Sequence, residues 1–339
     1  MTILIMGLGT FLIGCLPTYG QVGIVAPLLL VTLRLLQGIG IGGEWGGAVL
    51  MVIESVPNDR RGYYGSLVQL GYPAGVISST GVFALVSKLP QDELLAWGWR
   101  LPFLLSAILV GIGLFIRLRL SETPVFRQVQ LRHDVAKTPL LEIFTKHRNT
   151  FLIAVGLKVS EIAFVSVATV FSLTYITRDL GMPRSTVFNG ILLAAVIETF
   201  TIPAFGYLSD CYGRKPLFIA GCLFSIIFAF PIFWLFESRD PVIIAMTIAM
   251  AVSLGQGIMF GPEATWVAEL FAPRLRYTGA SLGFQIGAAL SGGLTPIVAA
   301  ALVAWSGGTW PISLYLIVLA VVTLAATFAA PETARQQLA

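Results

Sequence analysis

Charge is what this sequence has least of. Only 11% of its 339 residues are Asp, Glu, Lys or Arg, and 56% are hydrophobic. Ordinary soluble domains carry about 25% charged and about 45–50% apolar residues. A soluble globular fold is thereby excluded: too much apolar surface must be hidden, so the bilayer has to be the solvent. Histidine is nearly missing, with His133 and His147 both in one polar segment. That removes histidine-based metal or triad chemistry from the apolar regions. The three cysteines, Cys15, Cys211 and Cys222, have no motif spacing and read as small core residues rather than a disulfide or metal set. H-E-x-x-H is absent, as is any cluster of His or Cys, which argues against an integral-membrane enzyme. The phosphate loop G-x-x-x-x-G-K-[ST] is absent too, which leaves ATP-driven pumping unsupported. The net charge of +4 does not point to nucleic acid, because the basic residues sit in short loops between apolar runs, where a membrane topology signal belongs.

Ten apolar runs are long enough to span a bilayer, near 1–17, 22–54, 65–87, 100–120, 150–177, 186–208, 216–236, 242–268, 278–304 and 310–330. A spanning helix satisfies its own backbone in lipid, so an all-α polytopic membrane protein with ten transmembrane helices is predicted. The second run is overlong and rich in glycine, so a bent or tilted helix is expected there. Residues 121–149 are polar, basic and proline-containing, and form the one clear linker. The predicted division is 1–120 as an incomplete half with four helices, 121–149 as a cytoplasmic linker, and 150–332 as a six-helix half. One set of loops, including the linker and Arg335, holds fourteen Lys and Arg residues, and the other set holds five. The positive-inside rule places the richer set in the cytoplasm, and with ten spans both termini as well.

The chain repeats itself at an offset of 215 residues. Gly40, Gly42 and Gly46 meet Gly255, Gly257 and Gly261; Glu54 meets Glu269; Arg61 meets Arg276; Ser66-Leu67 meets Ser281-Leu282. After a length change, Glu122-Thr123 matches Glu332-Thr333. Paired halves of common ancestry are a mark of transporters, with the substrate site between them. The loop GYLSDCYGRKP at 206–216 has its counterpart position just before Met1. Two helices and a loop are therefore expected to be lacking at the N-terminus, through truncation or a misplaced start.

That loop, Gly206 through Asp210, Gly213, Arg214 and Lys215, resembles the G-x-L-x-D-x-x-G-R-[KR] signature of the major facilitator superfamily. Arg34-Leu-Leu-Gln37-Gly38 resembles the R-x-x-Q-G motif of the same family, and GGEWGGA is similar to its metabolite–proton symporter branch. WGWRLPF at 97–103 and SETPVF at 121–126 add to the likeness, which covers nearly the whole chain. The resemblance implies a major facilitator fold, here without its first two helices, and cargoes such as shikimate, citrate, 2-oxoglutarate, proline or betaine. Where the family often has Arg after the loop Asp, this chain has Cys211. In physical terms, Asp210 can cap a helix N-terminus and pair with Arg214, which would make a latch on the cytoplasmic side. Glu54, Arg61, Glu269 and Arg276 occupy equivalent helix ends and read as gate salt bridges.

The ionisable residues inside the apolar runs are the candidates for the pathway, since such residues are costly in lipid. Arg34 needs a protein or water environment and an anionic partner. Lys158 and Glu161 are spaced to share one helix face; Lys158 would bind a substrate carboxylate while Glu161 exchanges a proton, and the bland alternative is a self-neutralised pair. Glu198 stands alone in its run and would suit a proton carrier. Gln37, Glu44, Gln256 and Glu263 are placed on the same pathway. The expected function is proton-coupled symport of a small organic anion, or of a zwitterion, across the inner membrane. It would run as a lipid-embedded monomer with no cofactor or metal beyond the proton gradient. A non-transporting remnant or membrane sensor is the alternative.

Overall fold

The computed structural model describes residues 2–119 and 138–336. The SETPVF segment and residues 121–137 of the expected linker lie outside the described residues. Among the described residues every regular element is a helix, as hydrocarbon demands of a chain whose backbone cannot turn to water. The principal helices are α1 (Thr2–Gly14), α2 (Val25–Ile53), α3 (Arg61–Gln69), α4 (Gly71–Val86), α5 (Ser106–Arg119), α6 (Pro139–Lys146), α7 (Arg148–Ser166), α8 (Arg184–Tyr212), α9 (Arg214–Phe228), α10 (Pro241–Met250), α11 (Gly257–Glu269), α12 (Pro273–Ala288), α13 (Thr295–Ser306) and α14 (Trp310–Ala329).

Seven helical stretches among the described residues are long and apolar enough to cross a membrane: Val25–Ile53, Gly98–Ile116, Arg148–Asp179, Arg184–Tyr212, Pro241–Glu269, Pro273–Ser306 and Trp310–Ala329. The other three expected runs are helical but short or interrupted. Thr2–Cys15 is apolar and shorter. The run near 65–87 is divided into α3 and α4, and that near 216–236 into α9 and Pro231–Phe236. Pro73 and Pro231 supply the cause, since neither can donate a hydrogen bond back to the carbonyl four residues earlier. The overlong second run is one helix of 29 residues with no interruption, which at ~1.5 Å per residue exceeds the ~30 Å of hydrocarbon.

The chain divides into two compact units. The smaller comprises Met1–Ala48 and Ile77–Thr123, the larger Val49–Val76 and Pro124–Ala339. In the smaller, α1 lies against Leu101–Leu104 and α5. Arg100 Nη1 closes the end of α1 by donating to the carbonyls of Gly14 (2.8 Å) and Leu16 (2.6 Å), where helix carbonyls lack partners of their own.

In the larger unit α7 is central, packed against α14 and α12. Its core holds Phe164, Val167, Phe171, Ile176, Val187, Ile244, Ile248 and Leu316, all buried. Wider π-helical turns occur at Val167–Phe171, Tyr175–Asp179, Ala251–Gln256 and Ala289–Gly293, a distortion that concentrates near functional sites. The amphipathic α6 sets Ile143 against Phe151 and Leu275, and Glu142 accepts from Arg274 at 2.6 Å.

Candidate functional site

Two ionic clusters lie in the larger unit, one midway along its helices and one at their ends. The first is built on α7. The Lys158 ammonium is bonded to Glu161 on its own helix and to Glu263 Oε2 of α11 at 3.0 Å. Exposure is 1% for Lys158 and 0% for both carboxylates, so the ions are paired because water cannot reach them. Two rings complete the enclosure: Phe284 lies 3.9 Å and Phe260 4.9 Å from Lys158 Nζ, within cation–π range. The Gln256 amide lies beside Glu161. Glu198, on α8, is fully buried and close enough to feel the Glu161 charge.

What this cluster leaves unpaired is all acceptor. Glu161 Oε2, Glu263 Oε1, Gln256 Oε1 and both Glu198 oxygens have no hydrogen-bond partner among the described residues. One ammonium thus serves two carboxylates, with the unpaired Glu198 carboxyl near Glu161, in a dry setting where a bare carboxylate oxygen is costly. Protons on the carboxyls, or a donor brought by cargo, would satisfy them.

The second cluster starts from the 206–216 loop. Asp210 Oδ1 and Oδ2 accept the N–H groups of Gly62 (2.7 Å) and Tyr63 (2.8 Å), capping α3 from another helix, and charge at that end of a helix dipole is favourable. Arg214 Nη1 donates to Asp210 Oδ1 at 2.7 Å and to Ser209 Oγ at 2.6 Å. The two backbones meet at Gly62 and Gly206, where a Cβ on either would sit 2.6 or 2.7 Å from the other's carbonyl oxygen. At Gly213 φ is +107°, a conformation open to glycine and strained for other residues.

The residues matched at the 215-residue offset exchange partners here. Arg61 pairs with Glu269 at 3.1 Å and Arg276 with Glu54 at 3.4 Å, so each arginine takes the glutamate of the other repeat. Glu269 also lies 3.5 Å from Arg214 Nε and accepts from Thr333 Oγ1 at 2.5 Å. The sequence reading missed the hub that ties in the chain's last turn. Glu332 accepts four backbone N–H groups, from Arg214, Lys215, Thr333 and Ala334, at 2.9–3.0 Å. Burial pushes its carboxyl up, but the four N–H groups outweigh burial and hold it below the ordinary carboxylate range. Its only signal was the match of Glu332-Thr333 to Glu122-Thr123. Phe260 and Phe284 gave no signal, since apolar residues are ordinary in such runs.

Arg34, Gln37 and Glu44 belong to the smaller unit. Arg34 is exposed and, within that unit, donates to the neutral Gln37 Oε1 at 3.3 Å, where an anionic partner is expected from the sequence. Gln37 is buried and donates to Thr10 Oγ1 at 2.6 Å. Glu44 Oε2 has no partner among the described residues.

Comparison with known proteins decides the family. The Major Facilitator Superfamily profile matches residues 1–283 and, separately, 154–338. The chain belongs to the major facilitator superfamily. It is 37% identical to the shikimate transporter of Escherichia coli (strain K12) over 321 residues, 94% of this chain and 73% of that one. It is 37% identical to the inner membrane metabolite transport protein YhjE of the same strain, over 99% and 78%. The proline/betaine transporter of Salmonella typhimurium is 34% identical over 100% of this chain and 69% of its own. These are relatives of the metabolite–proton symporter branch. Among solved structures, the proton:xylose symporter XylE bound to 6-bromo-6-deoxy-D-glucose has a TM-score of 0.70 at 18% identity, covering 99% of this chain and 81% of that one. FucP in the outward conformation gives 0.67 at 14%, covering 98% and 82%. The major facilitator chain is thus a multi-pass membrane protein and a secondary transporter, not an enzyme.

Proposed function

We propose that this transporter moves a small organic anion together with protons across the inner membrane, energised by the proton gradient alone. The observation that carries the reading is the Lys158 ammonium shared between Glu161 and Glu263, with carboxylate oxygens to spare on both and on Glu198. An incoming carboxylate can take a place on Lys158 only if one of the resident carboxylates gives up its charge by accepting a proton. Anion and proton then favour each other's binding, as linkage requires. The names of the relatives, with shikimate among their cargoes, and the proton symport named for XylE support it. Arg34 of the smaller unit would provide a second cationic contact along the pathway. The end network would act as the cytoplasmic gate of a lipid-embedded monomer with ten crossings and both termini inside.

A zwitterion is the second reading. The cluster offers an ammonium for its carboxylate and surplus oxygens for its cationic end, and a relative carries proline or betaine in its name.

The test is uptake of labelled shikimate and of labelled betaine into energised vesicles holding the chain, with and without a protonophore. Accumulation of shikimate that the protonophore abolishes is expected. Uptake insensitive to it excludes symport, and accumulation of betaine alone selects the second reading.

A further inference from the structure

Helix α14 lies along α7 and at one point enters its hydrogen-bond ladder. Thr323 Oγ1 donates to the Gly156 carbonyl at 2.7 Å and accepts from the Ser160 N–H at 3.0 Å. These two backbone groups are four residues apart, the pair that an uninterrupted α-helix joins directly. A hydroxyl can stand between them because one oxygen both donates and accepts. A side chain inserted in this way is a recognised cause of helix bending. Lys158 lies midway between the two bridged residues.

The same turn is gripped from its other side. Ser291 Oγ donates to the Val159 carbonyl at 2.5 Å. A Cβ on Gly287 would stand 2.6 Å from Lys158 Cβ and 2.9 Å from the Val155 carbonyl. On the α14 side, a Cβ on Gly156 would stand 2.8 Å from that of Ala326. Thr323 and Ser160 are buried, at 0% and 2% exposure, so no solvent group competes for the bridge.

We propose that Thr323 is a positioning residue for the Lys158 cluster, holding open the turn of α7 that aims the ammonium across to Glu263. The two ion pairs depend on that turn unequally. Glu161 is carried on α7 itself, one turn away, and follows Lys158 if the turn shifts. Glu263 belongs to α11, so its 3.0 Å bond to Lys158 survives only if the turn stays where it is. The titratable groups that bear on Lys158 are Glu161 and Glu263; the Glu161 charge reaches Glu198 of α8 and Tyr72 of α4 in turn. Helix α14 carries no Asp, Glu, Lys, Arg or His; its tyrosine, Tyr315, is eight residues from Thr323 and bonded to Thr295, and α12 brings the Phe284 ring. The wedge therefore acts through geometry.

The consequence for transport rests on the proton-symport reading, so the test has one arm that does not. Thr323→Val keeps the shape and removes both bonds, and Thr323→Ser keeps the hydroxyl. Amide hydrogen exchange in the detergent-solubilised full chain should be about ten-fold faster at Ser160 in the Val variant, with the Ser variant matching wild type. In vesicles with labelled shikimate as probe, the Val variant should lose about five-fold in maximal uptake at equal membrane abundance, with a displaced pH profile, and Ser should restore both. Unchanged exchange at Ser160 overturns the bridge. Faster exchange with wild-type uptake and pH profile overturns the positioning role. Absence of shikimate uptake by the wild-type chain would count against the symport reading instead, and the exchange arm would still decide the bridge.

Discussion

In the middle of the larger unit one ammonium is bonded to two carboxylates with a third carboxyl beside them, whereas at the helix ends three guanidiniums meet four carboxylates and a set of backbone N–H groups. The unpaired buried atoms differ accordingly. In the middle they are oxygens, of Glu161, Glu198, Gln256 and Glu263. At the ends they include the nitrogens Arg61 Nε and Arg214 Nη2. Both clusters are shielded from water, so the difference lies in what each could still accept. The Lys158 cluster has room for protons, and a proton can move without moving a helix. The end network has its charges committed to six segments at once: the end of α2, α3, the 206–216 loop, the end of α11, the start of α12 and the turn after α14. It can change only if those segments part. On the proposed reading the first cluster would load and the second would latch, and the kind of atom left over is what distinguishes them.

The largest effect that would break this comparison is expected at Lys158. Lys158→Ala leaves Glu161 and Glu263 facing each other without a cation, and removing one partner of a buried ion pair costs about 3–5 kcal/mol unless protons compensate. Uptake of labelled shikimate should vanish while the amount of protein in the membrane, measured by immunoblot, stays near wild type. Retained uptake would demote the cluster to an aid to insertion.

Asp210→Asn comes next. One oxygen remains to cap α3, but the charge that pairs with Arg214 is gone, and hydrogen bonds to charged groups contribute about 1.5–3 kcal/mol. A loss of about ten-fold in maximal uptake with little change in KM is expected, because the step impaired is a conformational one. An effect confined to KM would mean that the end network touches cargo and is no latch.

Glu332→Gln sharpens the contrast through pH. The Glu332 carboxyl lies below its unfolded value of about 4.3. Its contribution is therefore full above that value and is lost as pH falls through it towards the folded one. The melting temperature of the wild-type chain should drop between about pH 5 and about pH 3, and the Gln variant should start lower at neutral pH and show a flatter curve. Scanning fluorimetry across that range decides it, and parallel curves would remove Glu332 from the latch.

The smallest effect is expected for Glu54→Gln. Its bond to Arg276 is the longer of the two exchanged pairs, 3.4 Å against 3.1 Å for Arg61 and Glu269, and Arg276 Nε keeps the Phe271 carbonyl. A change in uptake of about three-fold or less is expected, smaller than for Glu269→Gln in the same assay. Equal losses would show the two repeats to be functionally symmetric.

Much of this was open to inspection in the residue order. Composition alone required the bilayer as solvent, because the apolar excess admits no soluble core. The 215-residue offset marked Glu54, Arg61, Glu269 and Arg276, because the same charged residues recur in register at both places. The i, i+3 spacing put Lys158 and Glu161 on one face, since 3.6 residues per turn is a local rule. Tertiary structure alone decided the rest. It brought Glu263 to Lys158 across 105 residues, crossed the ion pairs so that Arg61 met Glu269 and Arg276 met Glu54, set Glu332 under the start of α9, and bonded Thr323 to two backbone groups of α7. Helix periodicity fixes which residues share a face, but it does not specify which face of which other helix arrives opposite, and every one of these contacts is between segments distant in the chain.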